Sequence, residues 1–224
     1  MIIIMLGAPG SGKGTVGSLL SGMFNITHIS SGEIFRSYIK KHDELGEKIR
    51  SYINKGSLVP DELANTLVEK RLQEKDAADG VILDGYPRTR AQAAELDRLL
   101  VLSGKKVNSA VNLTISDEEI IERIINRRTC PNPDCREIYN TKFKPPKVEN
   151  LCDKCGYALI IRDDDNLEII TERLSNYHNI SKELITYYEQ KDILYSVKLN
   201  TYSNKTAADI AEDVKKYLTE SAFH

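Results

Sequence analysis

The stretch GAPGSGKGT at residues 7–15 constrains the fold of this chain more than any other segment. It follows the apolar run MIIIML, which predicts a buried strand, and it precedes apolar residues at helical spacing. A glycine-rich turn between a strand and a helix lets backbone N–H groups and the helix N-terminus converge on phosphate oxygens. Lys13 adds a full positive charge for the β- and γ-phosphates. The sequence therefore predicts a phosphate-binding loop.

Composition limits the class of protein and its partners. The 224-residue length allows one core and a small extra lobe, and the net charge of −2 gives no basic excess for a nucleic-acid or membrane partner. The apolar start lacks the basic segment and the length of a secretory signal, and no run approaches the roughly 18 apolar residues of a membrane helix. We therefore expect a cytoplasmic protein, in which paired cysteines more often hold metal than form disulfides.

Beyond the phosphate loop, short apolar segments alternate with helical patterns along the chain. Further strands are predicted at residues 81–84, 110–115 and 193–199, with amphipathic helices between and after them. This alternation is typical of a doubly wound parallel sheet that is covered by helices on both faces. We therefore expect an α/β fold with a P-loop core.

Two stretches interrupt the alternation and are interpreted as insertions. Residues 30–59 contain helix and turn patterns, and Ser30 with Glu33 forms a capping-box pattern ahead of the first helix. Residues 126–164 lose the helical periodicity and contain all four cysteines. The core is therefore expected to be discontinuous, and its parts are residues 1–29, 60–125 and 165–224.

Asp84 ends the predicted strand VILD and precedes Gly85. In open α/β sheets, ligands bind at the carboxyl ends of the strands. A carboxylate at that edge can hold Mg²⁺ beside the phosphates, directly or through water. Asp84 alone could equally be a turn residue, but together with the phosphate loop it predicts a magnesium site.

The loop differs from the strict phosphate-loop pattern, and the difference is informative. Gly14 separates Lys13 from the hydroxyl of Thr15, and this variant resembles the loop of nucleoside-monophosphate kinases, adenylate kinases in particular. Three further segments are similar to that family, and they are SSGEIFR at 30–36, GSLVP at 56–60 and DGYPRT at 84–89.

The resemblance covers essentially the whole chain. It implies a parallel-sheet core with a helical NMP-binding lobe at residues 30–59 and a zinc-bearing lid at residues 126–164. It also implies that Arg36 and Arg88 hold the phosphate of AMP and that Gln92 reads its adenine. The AMP side comprises Ser31, Gly32, Arg36, Ser57, Leu58, Val59, Gly85, Tyr86, Arg88, Gln92, Arg162 and Arg173. The ATP side comprises Gly10, Ser11, Gly12, Lys13, Gly14, Thr15, Arg123, Arg127, Ile138, Tyr139 and Lys205.

Four arginines suit the charge of two adjacent nucleotides. Arg123 and Arg127 lie four residues apart on one face of a predicted helix, and Arg162 and Arg173 follow the cysteine segment. The guanidinium group binds phosphate oxygens bidentately and stays charged. Phosphoryl transfer depends on such positioning and charge neutralisation more than on an acid–base pair. By resemblance, the first two contact ATP and the last two bridge both nucleotides. The predicted catalytic set is Lys13, Asp84, Arg88, Arg123, Arg127, Arg162 and Arg173.

Other charges lie close to these arginines in the sequence. Asp163 and Asp164 follow Arg162 directly and are expected either to pair with the arginines in a closed state or to be solvated. Arg128 matches no arginine of the family and is interpreted as a surface charge.

The cysteines form two pairs. Four residues separate Cys130 from Cys135, sixteen separate Cys135 from Cys152, and two separate Cys152 from Cys155. Two close pairs suit tetrahedral Zn²⁺, and no histidine lies between residues 43 and 177 to compete as a ligand. Disulfides and free buried thiols are the alternatives. Four thiolates leave no open coordination position, so the sequence predicts a structural zinc.

These features together predict the reaction of the adenylate kinase family, in which MgATP and AMP are converted reversibly into two ADP. The expected cofactors are Mg²⁺ with ATP and structural Zn²⁺, and the expected state is a monomer. A UMP or CMP kinase is the nearest alternative, and Gln92 with a full-length lid argues against it. A P-loop switch whose cysteine module binds a partner is the alternative from another class. Such a switch would not need a second set of arginines.

Overall fold

The computed structural model describes residues 1–200 and 205–221. It confirms the predicted α/β fold, because parallel strands form one sheet with helices on both faces. The strands are β1 (Ile2–Gly7), β2 (Thr27–Ser30), β3 (Val81–Asp84), β4 (Ser109–Thr114), β5 (Arg127–Thr129), β6 (Ile138–Asn140) and β7 (Leu194–Lys198). The helices are α1 (Lys13–Phe24), α2 (Ser31–Ile39), α3 (Glu44–Ile53), α4 (Asp61–Leu72), α5 (Arg90–Leu102), α6 (Asp117–Ile125), α7 (Leu167–Glu189) and α8 (Ala207–Ser221). In these described ranges, no helix has the length and apolar character needed to cross a membrane.

Strand β1 is buried on both faces of the sheet. Ile2 and Ile4 pack with residues of α4, α5 and α7, whereas Ile3 and Met5 pack with residues of α1 and α8 on the other face. Successive side chains of a strand point to opposite faces, so a strand that is covered on both sides needs apolar residues at every position. Each such side chain contributes roughly 1.5–3 kcal/mol by leaving water. This requirement explains the continuous run MIIIML.

The strand order places the phosphate loop at a crevice. Across the sheet the order is β2-β3-β1-β4-β7. The chain first builds the β2 and β3 side of β1 and then crosses over to build the β4 and β7 side. Ligands bind at the carboxyl ends of strands where the order reverses in this way. At this edge β1 ends in Gly7 and β3 ends in Asp84.

The edge strand β2 is not predicted by the sequence pattern. Its residues, THIS, contain neither an apolar run nor a clear alternation, and only Ile29 among these four is fully buried. The strand pairs in parallel with β3 from Thr27 to Ser30. A four-residue edge strand depends on this pairing more than on the β-strand propensity of its residues, so its sequence shows little of the pattern that predicts a strand.

The first insertion folds into α2 and α3, as its helix and turn patterns predict. The predicted capping box is wrong in detail. Ser30 does occupy the N-cap of α2, but within the described residues its side chain makes no capping hydrogen bond. Glu33 forms an ion pair with Arg136 of the second insertion, with 2.5 Å between Oε2 and Nη1. The local sequence does not reveal that Glu33 pairs with Arg136 instead of forming the capping contact at the N-terminus of α2.

The second insertion consists of turns and the short antiparallel pair β5 and β6. Thr129 and Ile160 exchange backbone hydrogen bonds, each with an N-to-O distance of 2.9 Å, and so join the two ends of the segment. Its buried cluster is small and consists of Cys130, Tyr139, Cys152 and Leu159. Such a core is too small to stabilise the segment without a further crosslink.

Candidate active site

The phosphate loop connects the end of β1 to the start of α1. Gly10 has a φ of 81°, and a Cβ at this position would lie 2.6 Å from Ile124 Cγ1, so a side chain fits neither the backbone nor the space. Lys13 begins α1, and its Nζ donates to the Ala8 carbonyl at 2.8 Å. The first N–H groups of a helix lack acceptors within the helix and are available to an anion.

Asp84 lies beside the first turn of α1. Its Oδ2 is 3.2 Å from the position that a Cβ on Gly14 would take, so a side chain there would displace the carboxylate by a few tenths of an ångström. His28 Nε2 lies 3.9 Å from the same oxygen. His28 is not among the predicted site residues, because it belongs to strand β2, which the sequence pattern does not predict. A carboxylate at this edge, close to the phosphate loop, fits the oxygen ligands that Mg²⁺ prefers.

Buried positive charges crowd the same site. Burial lowers the pKa of Lys13 to about 8, and the neighbouring arginines add to this effect. Burial also lowers the pKa of Arg88 to about 10 and that of Arg162 to about 9, and in both cases an adjacent arginine contributes. The pKa values of Arg36 and Arg173 are lowered by burial and by the same mutual repulsion. The cluster is therefore unfavourable by itself, and a polyanion would relieve it.

Two carboxylates balance part of this charge. Asp165 accepts a hydrogen bond from Arg127 Nε at 2.8 Å and also contacts its Nη2. Asp164 accepts from Arg173 Nη1 at 2.8 Å. The pairing expected for Asp164 is therefore present, whereas among the described residues Asp163 forms no such ion pair and Asp165 does. The turn geometry decides which of three adjacent carboxylates faces the arginines, and the sequence does not reveal it.

A second pocket lies between the first insertion and the turn after β3. Its volume is about 20 Å³, and from the predicted AMP side it is lined by Ser31, Leu58, Val59, Gly85, Tyr86, Arg88 and Gln92. Ser31 Oγ donates to the Gly85 carbonyl at 2.8 Å and joins the insertion to the turn. Phe35 and Ala64 complete the lining. They were missed because apolar residues at helical spacing also predict core.

The predicted ATP-side residues are distributed more widely. Arg123 Nη1 donates to the Ser11 carbonyl of the phosphate loop at 3.3 Å. The Tyr139 side chain is buried in the cysteine segment, and its hydroxyl lies 3.6 Å from Cys152 Sγ. Lys205 is exposed and pairs with an aspartate of α8 at 2.6 Å. The Tyr139 side chain therefore belongs to the cysteine cluster, which leaves its backbone as the candidate contact to a nucleotide.

The structure brings all four cysteines together. Their sulfur atoms lie within 4.8 Å of one another, with 3.4 Å between Cys130 and Cys155 and 3.6 Å between Cys135 and Cys152. Four sulfurs at about 2.3 Å from a tetrahedral Zn²⁺ would be about 3.8 Å apart. The observed spacing fits this ion and is too long for a disulfide bond. The donor set could therefore hold one thiophilic metal ion.

A phosphate loop that faces a second small pocket across a cluster of arginines defines a phosphotransferase of the nucleoside-monophosphate kinase class. The family model described as "Adenylate kinase" matches residues 5–193. The chain therefore belongs to the adenylate kinase family.

Individual relatives agree with this family over nearly the whole chain. The adenylate kinase of Thermoanaerobacter sp. (strain X514) is 45% identical over 218 residues, which are 97% of this chain and 98% of the relative. That of Lachnospira eligens is 48% identical and covers 88% of this chain and 92% of the relative. That of Pseudothermotoga lettingae is 42% identical and covers 98% of this chain and 100% of the relative.

Proposed function

We propose that the protein catalyses the reversible transfer of a phosphoryl group from ATP to AMP, which yields two ADP. The observation that best supports the proposal is the buried cluster of Lys13 and arginines between the phosphate loop and the second pocket, with pKa values lowered by burial and mutual repulsion. Two nucleotides that meet there would supply the missing negative charge. Both the phosphate loop and the second pocket are needed for this reaction, whereas a P-loop switch needs only the first.

In the proposed step, a phosphate oxygen of AMP attacks the γ-phosphorus of ATP. The bond from this phosphorus to the β,γ-bridging oxygen breaks, and the β-phosphate leaves with that oxygen, so both products are ADP. The AMP phosphate is ionised near neutral pH, so no general base is required. Lys13 and Arg123 would hold ATP, Arg88 would hold AMP, and Arg173 would neutralise charge between them. Asp84 and the Thr15 hydroxyl would hold Mg²⁺, which when bound supplies further positive charge to the β- and γ-phosphates.

The test is a coupled assay of the purified protein with MgATP and, separately, AMP, GMP, CMP and UMP. We expect efficient turnover with AMP and much weaker turnover with the others. Faster turnover with CMP or UMP would support the alternative kinase of the same class. Slow hydrolysis of nucleoside triphosphate without any transfer would support a P-loop switch.

We also propose that residues 30–59 act as a mobile NMP-binding lobe and residues 126–164 as a mobile lid on the remaining core. The second pocket, at about 20 Å³, has room for about one water molecule, so a nucleotide requires the lobe to open. Lobe and lid touch through Glu33 and Arg136. Closure of this kind would exclude water from the phosphoryl group.

Closure predicts a specific response to a bisubstrate ligand. Two adenosines joined through five phosphates should bind far more tightly than ATP or AMP. The ligand should hold lobe and lid in contact, which shortens their mean distance relative to the ligand-free protein, in which the lobe opens and closes. Probes attached without cysteine chemistry at the exposed residues Lys55 and Lys147 would measure that distance by energy transfer. AMP alone serves as the control and should produce a smaller change. An unchanged distance at saturation would contradict the lid assignment.

A second prediction uses Arg88 to distinguish the AMP site from the ATP site. Arg88→Ala should weaken AMP binding by about 10–100-fold, the effect of losing one or two charged hydrogen bonds, with little change in ATP binding. Calorimetry with each nucleotide measures both affinities. Arg90→Ala, at an exposed position two residues away, is the matched control and should change neither. Equal losses for AMP and ATP would show that the division between the two sites is wrong.

We further propose a cytoplasmic monomer that acts on free nucleotides and has neither a nucleic-acid nor a membrane partner. The small net charge and the four-cysteine cluster support this proposal. For the cluster we propose a structural Zn²⁺. Sedimentation of the purified protein tests the monomer, and metal analysis tests the zinc.

A further inference from the structure

A hydrogen-bonded network surrounds the side-chain amide of Gln92 at the second pocket. Gln92 Nε2 donates to Asp61 Oδ1 at 2.8 Å, and Gln92 Oε1 accepts from the backbone N–H of Arg88 at 2.7 Å. The other carboxylate oxygen of Asp61 accepts from Thr89 Oγ1 at 2.8 Å. The Thr89 hydroxyl in turn accepts from the backbone N–H of Gln92 at 3.1 Å. The network connects the first turn of α4 to the first turn of α5.

The network permits one orientation of the amide. A carboxylate can only accept hydrogen bonds and a backbone N–H can only donate one. If the amide were flipped, Oε1 would face the Asp61 carboxylate and Nε2 would face the Arg88 N–H, so two attractive contacts would become repulsive. Gln92 is only 3% exposed, so water cannot replace the lost partners. The partners therefore assign the oxygen and the nitrogen of this amide.

The fixed amide keeps capacity for one more hydrogen bond at each end. Nε2 has a second hydrogen and Oε1 a second lone pair. A 6-aminopurine offers a matching edge, because its N1 accepts and its 6-amino group donates. A 6-oxopurine offers the reverse, because its N1–H donates and its O6 accepts, and it would need the flipped amide.

We propose that Asp61 is a specificity-determining residue, which selects 6-aminopurine monophosphates over 6-oxopurine monophosphates by preventing Gln92 from flipping. This inference rests on the proposed function, in which Gln92 reads the base of AMP. Asp61 acts through Gln92 and is therefore a positioning residue. The backbone N–H of Arg88 supports the same orientation and cannot be removed by mutation of a side chain.

The test compares AMP with inosine monophosphate (IMP), which differs from AMP only in the exchange of the 6-amino group for a 6-oxo group and in the N1 hydrogen. Asp61→Asn is isosteric and presents an NH₂ group to Gln92 while its oxygen still accepts from Thr89. We expect the ratio of kcat/KM for AMP to kcat/KM for IMP to fall at least about tenfold, the value of one misdirected hydrogen bond. The KM for ATP should not change.

Two further variants separate positioning from folding. Asp61→Ala removes the acceptor without adding a donor, so its ratio should lie between those of the wild type and Asp61→Asn. Thr89→Ser keeps the hydroxyl that donates to Asp61 and should keep the wild-type ratio. If Asp61 only stabilised the local fold, alanine would be the more damaging change, and turnover with AMP and with IMP would fall by the same factor. That result would overturn the inference.

The wild type distinguishes failure of the inference from failure of the proposed function. No turnover with AMP would mean that the proposed function is wrong. Turnover with AMP at a wild-type ratio near one would leave the proposed function intact and overturn the inference, because Gln92 would then not read the base. A high wild-type ratio that stays high in Asp61→Asn would overturn the role of Asp61 alone. Calorimetric titration of each variant with AMP and IMP gives the same comparison from binding, independently of turnover.

Discussion

Replacing Lys13 with methionine should lower turnover by about 10²–10³-fold, the usual effect of removing one preorganised group that stabilises charge in a transition state. Lys13 is the first residue of α1, and its ammonium group is held at the phosphate loop by the Ala8 carbonyl at 2.8 Å. Methionine has a similar length but lacks the charge. Steady-state kinetics with MgATP and AMP measure the effect.

The fold should survive this substitution. Burial lowers the pKa of Lys13 to about 8, which means that its charge is unfavourable in the ligand-free molecule. Removal of the charge should therefore leave the thermal midpoint equal to or above that of the wild type. Lys106→Met, at an exposed position, is the matched control and should keep normal turnover. Near-normal turnover in Lys13→Met would exclude a role of Lys13 in holding the transferred phosphoryl group.

The lowered pKa of Lys13 adds a second readout for the same variant. In the ligand-free protein Lys13 loses its proton as pH rises through about 8, and bound phosphates raise its pKa again. ATP binding near pH 8 should therefore take up protons and weaken as pH rises further. Calorimetry in buffers of different ionisation enthalpy measures this uptake. Lys13→Met should lose it, and uptake that persists in the variant would assign the proton to another group.

The core of the fold could be predicted from the sequence, because strands that are covered on both faces impose apolar residues at every position. The run from Ile2 to Leu6 and the strand VILD at residues 81–84 carry this signal. The edge strand β2 does not, since its pairing with β3 replaces local propensity. The apolar pattern that predicts a strand therefore weakens from the centre of the sheet to its edge. His28, which lies near Asp84, was missed because it belongs to the edge strand.

In the site, motifs of fixed spacing were predicted more successfully than contacts that depend on tertiary geometry. The phosphate loop and the paired cysteines lie where their spacing indicates. Asp165 instead of Asp163 faces the arginines because of the turn after Arg162, in which the Asp165 N–H donates to the Arg162 carbonyl at 3.0 Å. The hydrogen bond between Asp61 and Gln92 joins residues 31 positions apart and has no local pattern at all.

Removing two of the cysteines should produce the largest loss of stability. The segment at residues 126–164 has a small buried cluster, and two of its largest members are Tyr139 and Leu159. The four sulfurs at the centre of that cluster lie within 4.8 Å of one another. Metal binding by such a set is coupled to folding, because a metal-free segment has too little apolar burial to hold its shape. Cys152→Ser with Cys155→Ser should therefore lower stability by at least about 3 kcal/mol, or roughly 6–12 °C in thermal midpoint for a chain of this size.

Metal content and activity should fall together with stability in this double variant. Elemental analysis of the freshly purified wild type should find about one equivalent of zinc, and the double variant should have almost none. Lys154→Gln is the matched control, because Lys154 lies between the two cysteines and its exposed ion pair with Glu137 contributes about 1 kcal/mol or less. Some turnover should remain in the double variant, since four thiolates leave no coordination position for substrate and the proposed metal would affect the active site only through the shape of residues 126–164. Wild-type protein with far less than one equivalent of zinc and with four titratable thiols would overturn the assignment, because the segment would then hold its shape without a metal.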